Sequence, residues 1–146
     1  VMRTVSKLGL AGIRLGYLAA RPEWIEQFNK VRQVYNVSVL TQVAAQFALE
    51  HLDVLMGQAR KVLAERPGVG KALAAMAGVT VFSSAANFFL IRVPDSDRAY
   101  ERLNGQGVLV RNFNSAHPML ANCLRVTVGT PEENRILLSA MREALK

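Results

Sequence analysis

The feature that most restricts what this chain can fold into is a block of short apolar runs between Val79 and Val128, closed by a strong helix-start signal. Val79–Phe82 and Asn87–Val93 are β-branched or aromatic, with serines and alanines between them, so they are expected to be neighbouring strands. Asp95 or Ser96 can cap a helix reaching about Asn104. Gly105 and Gly107 then lead into a strand at Val108–Arg111, a polar loop at Asn112–Asn122 and a strand at Leu124–Val128. Thr130 is a hydroxyl N-cap, Pro131 suits the first helical position, and Glu132 and Glu133 complement the positive end of the dipole. A final helix to about Leu145 follows. The expected fold is α/β, with an α+β small domain whose helices cover one face of a small mixed sheet. Val81, Phe89, Ile91, Leu109, Val126 and Val128 are its expected core.

The first half reads differently. Val1–Val5 and Leu15–Ala20 are short strands around a turn that holds Ser6, Lys7 and Gly9. Pro22 opens a helix carrying Trp24, Ile25, Phe28, Val31 and Val34 at helical spacing. Another helix starts near Ser38, with Leu40, Val43, Ala44, Phe47, Leu49 and Leu52 as candidate buried positions. Asp53–Leu63 continues helically. Pro67, Gly68 and Gly70 are expected to interrupt or kink that helix, and Gly78 to end it in a left-handed cap. The expected division is residues 1–49 and 50–146. Apolar positions of residues 1–35 are expected to pack on material outside this sequence.

Composition excludes several classes. The hydrophobic fraction of 51% and charged fraction of 20% are those of a globular protein. No apolar run approaches the ~20 residues that span a bilayer, so neither a membrane segment nor a membrane partner is expected. The net charge of +7 is scattered along the chain, without a basic tract or interleaved aromatics, which argues against nucleic acid. The single Cys123, beside only His51 and His117, forms neither a disulfide framework nor a recognisable metal cluster, and fits a reducing, cytoplasmic setting.

The densest chemical signal is Arg3-Thr4-Val5-Ser6-Lys7-Leu8-Gly9-Leu10-Ala11-Gly12-Ile13-Arg14-Leu15-Gly16-Tyr17. A lysine and an arginine flank a glycine-bearing turn with two hydroxyls, a set able to hold a phosphate. Lys7, if desolvated beside that cation, would be a nucleophilic amine. On chemistry alone, a solvated Lys and Arg on an ordinary strand–turn–strand is the favoured reading. Gly68-Val69-Gly70-Lys71 is not a phosphate loop, because Glu65 and Ala72 stand where glycine and a hydroxyl residue are required. Thr4-Val5-Ser6-Lys7 lacks the companion motifs of penicillin-binding hydrolases.

The segment from Arg3 to Tyr17 resembles the Schiff-base lysine motif of fold-type I pyridoxal-phosphate (PLP) aminotransferases, in the form found in histidinol-phosphate aminotransferases. The seven-residue step from Lys7 to Arg14 is one shorter than many relatives have. Ser84–Val93, Gly107–Arg111 and Cys123–Asn134 resemble that family's small-domain strands and C-terminal signature, in the family's order. The resemblance implies that Lys7 carries the cofactor and shuttles a proton. It implies that Arg14 binds the PLP phosphate, with Thr4 and Ser6 as hydroxyl ligands. Arg125 would hold the substrate anion, whether the carboxylate of glutamate or 2-oxoglutarate or the phosphate of histidinol phosphate. Arg111 would face the substrate phosphate. For either arginine a surface ion pair, such as Arg111 with Asp95, is the open alternative.

The same resemblance implies a homodimeric enzyme of histidine biosynthesis. The family's N-P-N-N-P-T-G-like and D-E-A-Y-like stretches do not occur here, so the chain is expected to be the C-terminal portion of such an enzyme, with the core of the large domain missing. Two alternatives are a non-catalytic interaction or dimerisation domain and part of a related PLP-dependent decarboxylase of amino-acid phosphates.

Overall fold

A computed structural model describes all 146 residues, in two compact units, Val1–Ala59 and Arg60–Lys146. In the first unit, strands β1 (Met2–Thr4) and β2 (Gly16–Leu18) pair antiparallel, with Thr4 opposite Gly16. Two 3-10 turns, Val5–Leu8 and Ala11–Ile13, bridge them. Helix α1 (Pro22–Val31) starts on its proline, and α2 (Val39–Glu50) starts where Ser38 accepts a bond from the Thr41 amide.

The buried residues of α2 are Ala45 and Ala48, not the larger positions expected. Leu40, Val43, Ala44, Phe47, Leu49 and Leu52 are all exposed, Leu40 at 82%. Within this unit the helix turns its small residues inward and leaves its large apolar side chains uncovered. Trp24, Phe28, Val31, Val34 and Tyr35 are exposed too.

Helix α3 (Leu52–Ala74) runs through Pro67, so the expected interruption does not occur. A mid-helix proline costs about 3 kcal/mol, but Val69 and Leu73 just beyond it are buried in the core and hold the helical course. Gly78 takes the left-handed conformation beyond the helix, with φ of 75°.

The second unit is built on strands β3 (Thr80–Val81), β4 (Phe88–Arg92), β5 (Arg111–Asn112) and β6 (Cys123–Thr127), in spatial order β3-β4-β6-β5. Every adjacent pair is antiparallel, where a mixed sheet was expected. Strands β4 and β5, joined through α4 (Ser96–Gly105), do point the same way, but β6 is inserted between them. Phe89 and Ile91 face Val126 and Leu124 across the central pair. With Val93 and Val128 they pack on Val69 and Leu73, on Ala99 and Leu103 of α4, and on Leu137, Ala140 and Met141 of α5 (Pro131–Ala144). Leu73, Ile91, Leu103, Leu124, Val126 and Met141 are fully buried. The helices thus cover one face of the sheet.

Leu109 is 81% exposed, which corrects its assignment to the core. Val108 and Val110 are the residues that turn inward, so the parity was one residue off, and a one-residue slip sends a side chain to the opposite face. The strand itself is displaced from Val108–Arg111 to Arg111–Asn112.

The caps follow the sequence closely. Asp95 accepts from the Arg98 amide at 3.0 Å. Thr130 and Glu133 form a reciprocal capping box at the start of α5. No helix is long and apolar enough to cross a membrane.

Candidate functional site

The residues singled out in the sequence fall into two groups, one in each unit. In the first, Thr4 ends β1 and Ser6 and Lys7 lie on the 3-10 turn that follows. The Thr4 and Ser6 hydroxyls are 2.7 Å apart, and Thr4 Oγ1 also accepts from the Ser6 amide at 3.1 Å. Gly9 closes the turn with φ of 86°, a conformation open to glycine at no steric cost. Arg14 also has positive φ, 53°, which carries the chain from the second 3-10 turn toward β2. Its Nη1 makes one long contact to the Ala11 carbonyl, 3.5 Å. Lys7 and Arg14 are exposed, and neither forms a salt bridge. One hairpin therefore gathers an amine, a guanidinium and two mutually bonded hydroxyls.

The second group lies on the sheet face opposite the helices. Arg125 alternates with buried Leu124 and Val126, so its side chain leaves by the open face. Across β5 its direct partner is Arg111, and across β4 it is Leu90. Two arginines opposite one another repel, yet no carboxylate pairs with either. Asp95, the candidate partner for Arg111, is occupied in capping α4.

Aromatic rings surround the pair. Arg125 lies 5.2 Å from the Phe88 ring centre and 6.0 Å from that of Phe113. Arg111 lies 5.3 Å from Phe113. Arg92 lies over Phe82 and donates to the carbonyls of Ala121, at 3.1 Å, and Met119, at 2.7 Å. The sequence reading missed Phe113 and Arg92. Phe113 falls in a segment read as polar loop, although its amide donates to the Cys123 carbonyl at 2.9 Å and extends the β5–β6 ladder by one residue. Alternation from Arg111 would have placed Phe113 on the same face as that arginine.

Cys123 is buried, and His117 is exposed and caps a short turn through Nδ1. Neither joins these groups.

Residues 1–141, nearly the whole chain, match the family described as aminotransferase class I and II. The chain belongs to that family. A histidinol-phosphate aminotransferase of Cupriavidus pinatubonensis is 59% identical over all 146 residues, and the chain spans 40% of that relative's length. Among solved structures, the histidinol-phosphate aminotransferase of Sinorhizobium meliloti, in complex with pyridoxal-5'-phosphate, matches with a TM-score of 0.82 and 28% identity. That match covers 99% of this chain and 40% of the other. The L-threonine-O-3-phosphate decarboxylase of Porphyromonas gingivalis has the same fold, with a TM-score of 0.79 and 22% identity over 97% of this chain and 45% of that one.

Proposed function

We propose that this chain is the C-terminal part of a PLP-dependent histidinol-phosphate aminotransferase, with residues 1–49 closing the cofactor-binding domain and 50–146 forming the small domain. The observation that carries the reading is identity of 59% across the whole chain to a protein of that name. The substrates on this reading are histidinol phosphate and the glutamate/2-oxoglutarate pair, in a cytoplasmic homodimer.

The first unit's donor set fits a phosphorylated aldehyde. Lys7 offers an exposed amine, and Arg14 a guanidinium with only one long internal contact. Thr4 and Ser6 offer hydroxyls 2.7 Å apart, with the Thr4 proton donated to the Leu15 carbonyl and free to turn to a phosphate. When bound, PLP supplies an electron sink for the pair left at a substrate carbon. Lys7 would anchor it and take the proton from the substrate Cα and return it. Arg14, Thr4 and Ser6 would hold the phosphate through charge-assisted bonds.

On the second unit, Arg125 and Arg111 bind the substrate anion. The absence of any acidic partner leaves both guanidiniums free for a ligand, and their planar forks suit carboxylate and phosphate oxygens. Arg125→Lys in the full-length protein tests this in separate half-reactions. Loss of one charge-assisted bond, about 1.5–3 kcal/mol, predicts roughly a 10- to 100-fold fall in kcat/KM with both substrates. Unchanged values with both would contradict the assignment.

A further inference from the structure

The open face of the second unit holds Phe113 in a fixed relation to both arginines. Asn112 and Asn114, on either side of it, each donate to Asp97 of α4, at 2.6 and 2.8 Å. With both neighbours tied to the helix side, and its own amide and carbonyl bonded to Cys123 and Ala116, Phe113 is left to project onto the open face. There its ring lies 5.3 Å from the Arg111 guanidinium and 6.0 Å from that of Arg125. One aromatic ring is thus within reach of two cations that sit directly opposite each other in the ladder. The negative ring face attracts both and offsets part of their repulsion. Arg125 keeps a second ring, Phe88, at 5.2 Å, whereas Phe113 is the ring that Arg111 has.

We propose that Phe113 is a positioning residue that holds Arg111 and Arg125 side by side as one two-pronged receptor, and so favours a tetrahedral dianion over a carboxylate. A phosphate ester can bridge two guanidiniums, while a planar carboxylate is satisfied by the fork of one. The inference rests on the anion-binding role given above to the arginine pair. Phe113 acts through the arginines and needs no contact with the reacting atoms.

The test uses the full-length protein, titrated with inorganic phosphate and, separately, with acetate. Binding is followed by NMR through the side-chain Nε–Hε signals of Arg111 and Arg125. Removing two cation–π contacts in Phe113→Leu is expected to weaken phosphate binding about 5- to 30-fold, and acetate binding, which loses at most one contact, by less than about fivefold. Phe113→Tyr, which keeps the π-face, should restore phosphate affinity to within about twofold of the parent. Arg125→Lys serves as the control on the receptor itself. Phosphate affinity unchanged in Phe113→Leu but reduced in Arg125→Lys would overturn the role of Phe113 and leave the arginine site standing. Equal losses for Phe113→Leu and Phe113→Tyr would overturn it also. Failure of the parent chain to bind phosphate would overturn the arginine receptor together with the inference. Where Phe113→Leu disturbs the amide spectrum beyond its neighbours, Phe113→Trp, which retains a π-face, takes the place of Phe113→Tyr and Phe113→Met that of Phe113→Leu, with the same outcomes.

Discussion

Arg111 and Arg125 face each other directly across the β5–β6 ladder, two like charges in register on the uncovered side of the sheet. Such a pair lowers stability, and the molecule keeps it without an acidic counter-ion. Arg111→Glu would turn repulsion into a cross-strand attraction. The variant is expected to be more stable than the parent by about 0.2–1 kcal/mol in urea unfolding, while losing phosphate binding. A loss of stability would mean that the two arginines are not in conflict.

The close fit between α3 and the sheet is tested at two glycines. A Cβ on Gly70 would lie 2.8 Å from Phe89 Cζ, and that ring is buried in the core. Overpacking of this kind costs about 1–3 kcal/mol, more than the ~1 kcal/mol that alanine gains over glycine in a helix. Gly70→Ala should therefore be destabilised by up to about 2 kcal/mol. A Cβ on Gly68 meets nothing within 4 Å, so Gly68→Ala should gain up to about 1 kcal/mol. Urea midpoints ordered the other way would refute this packing.

Ser96, fully buried at the start of α4, carries a hydroxyl with no hydrogen-bond partner. An unsatisfied buried hydroxyl costs about 1–3 kcal/mol. Ser96→Ala should leave thermal stability unchanged or raise it, and a clear fall would show that the hydroxyl has a partner.

The start of α5 has a pH signature. The Thr130 amide, and then the Thr130 hydroxyl, donate to the Glu133 carboxylate and hold its pKa below the ordinary 4.5. A lowered folded-state pKa stabilises above the unfolded value, and the contribution is lost as pH falls through the folded value. The contribution is therefore complete above about pH 4.5 and disappears on further acidification. Glu133→Gln should lose this component, so the stability difference between parent and variant should shrink as pH drops from 6 to 3. A constant difference would contradict the capping box.

What the sequence made legible was local. Asp95, Thr130 and Pro131 announced their helix starts because a cap depends on three or four adjacent residues. The β1–β2 hairpin and strands β4 and β6 followed from short apolar runs. Positions set by distant partners were not legible. Leu109 and Val110 differ only in which of them meets the core, and that is fixed by the register of β5 on β6. The inward face of α2 falls on Ala45 and Ala48, and nothing in the helix's own periodicity separates these from Val43 and Phe47. At the site, Arg125 stood out as a charge between apolar strand residues. Phe113 did not, because it joins the ladder through a single bond to Cys123 in a stretch rich in asparagine.

Lys7 is proposed to carry PLP, and borohydride reduction of the PLP-loaded full-length protein, followed by peptide mapping, decides the point. One pyridoxyl-modified peptide, containing Lys7, is expected, and Lys7→Ala should lose both it and transamination. Modification at Lys30, Lys61 or Lys71 with none at Lys7 would contradict it.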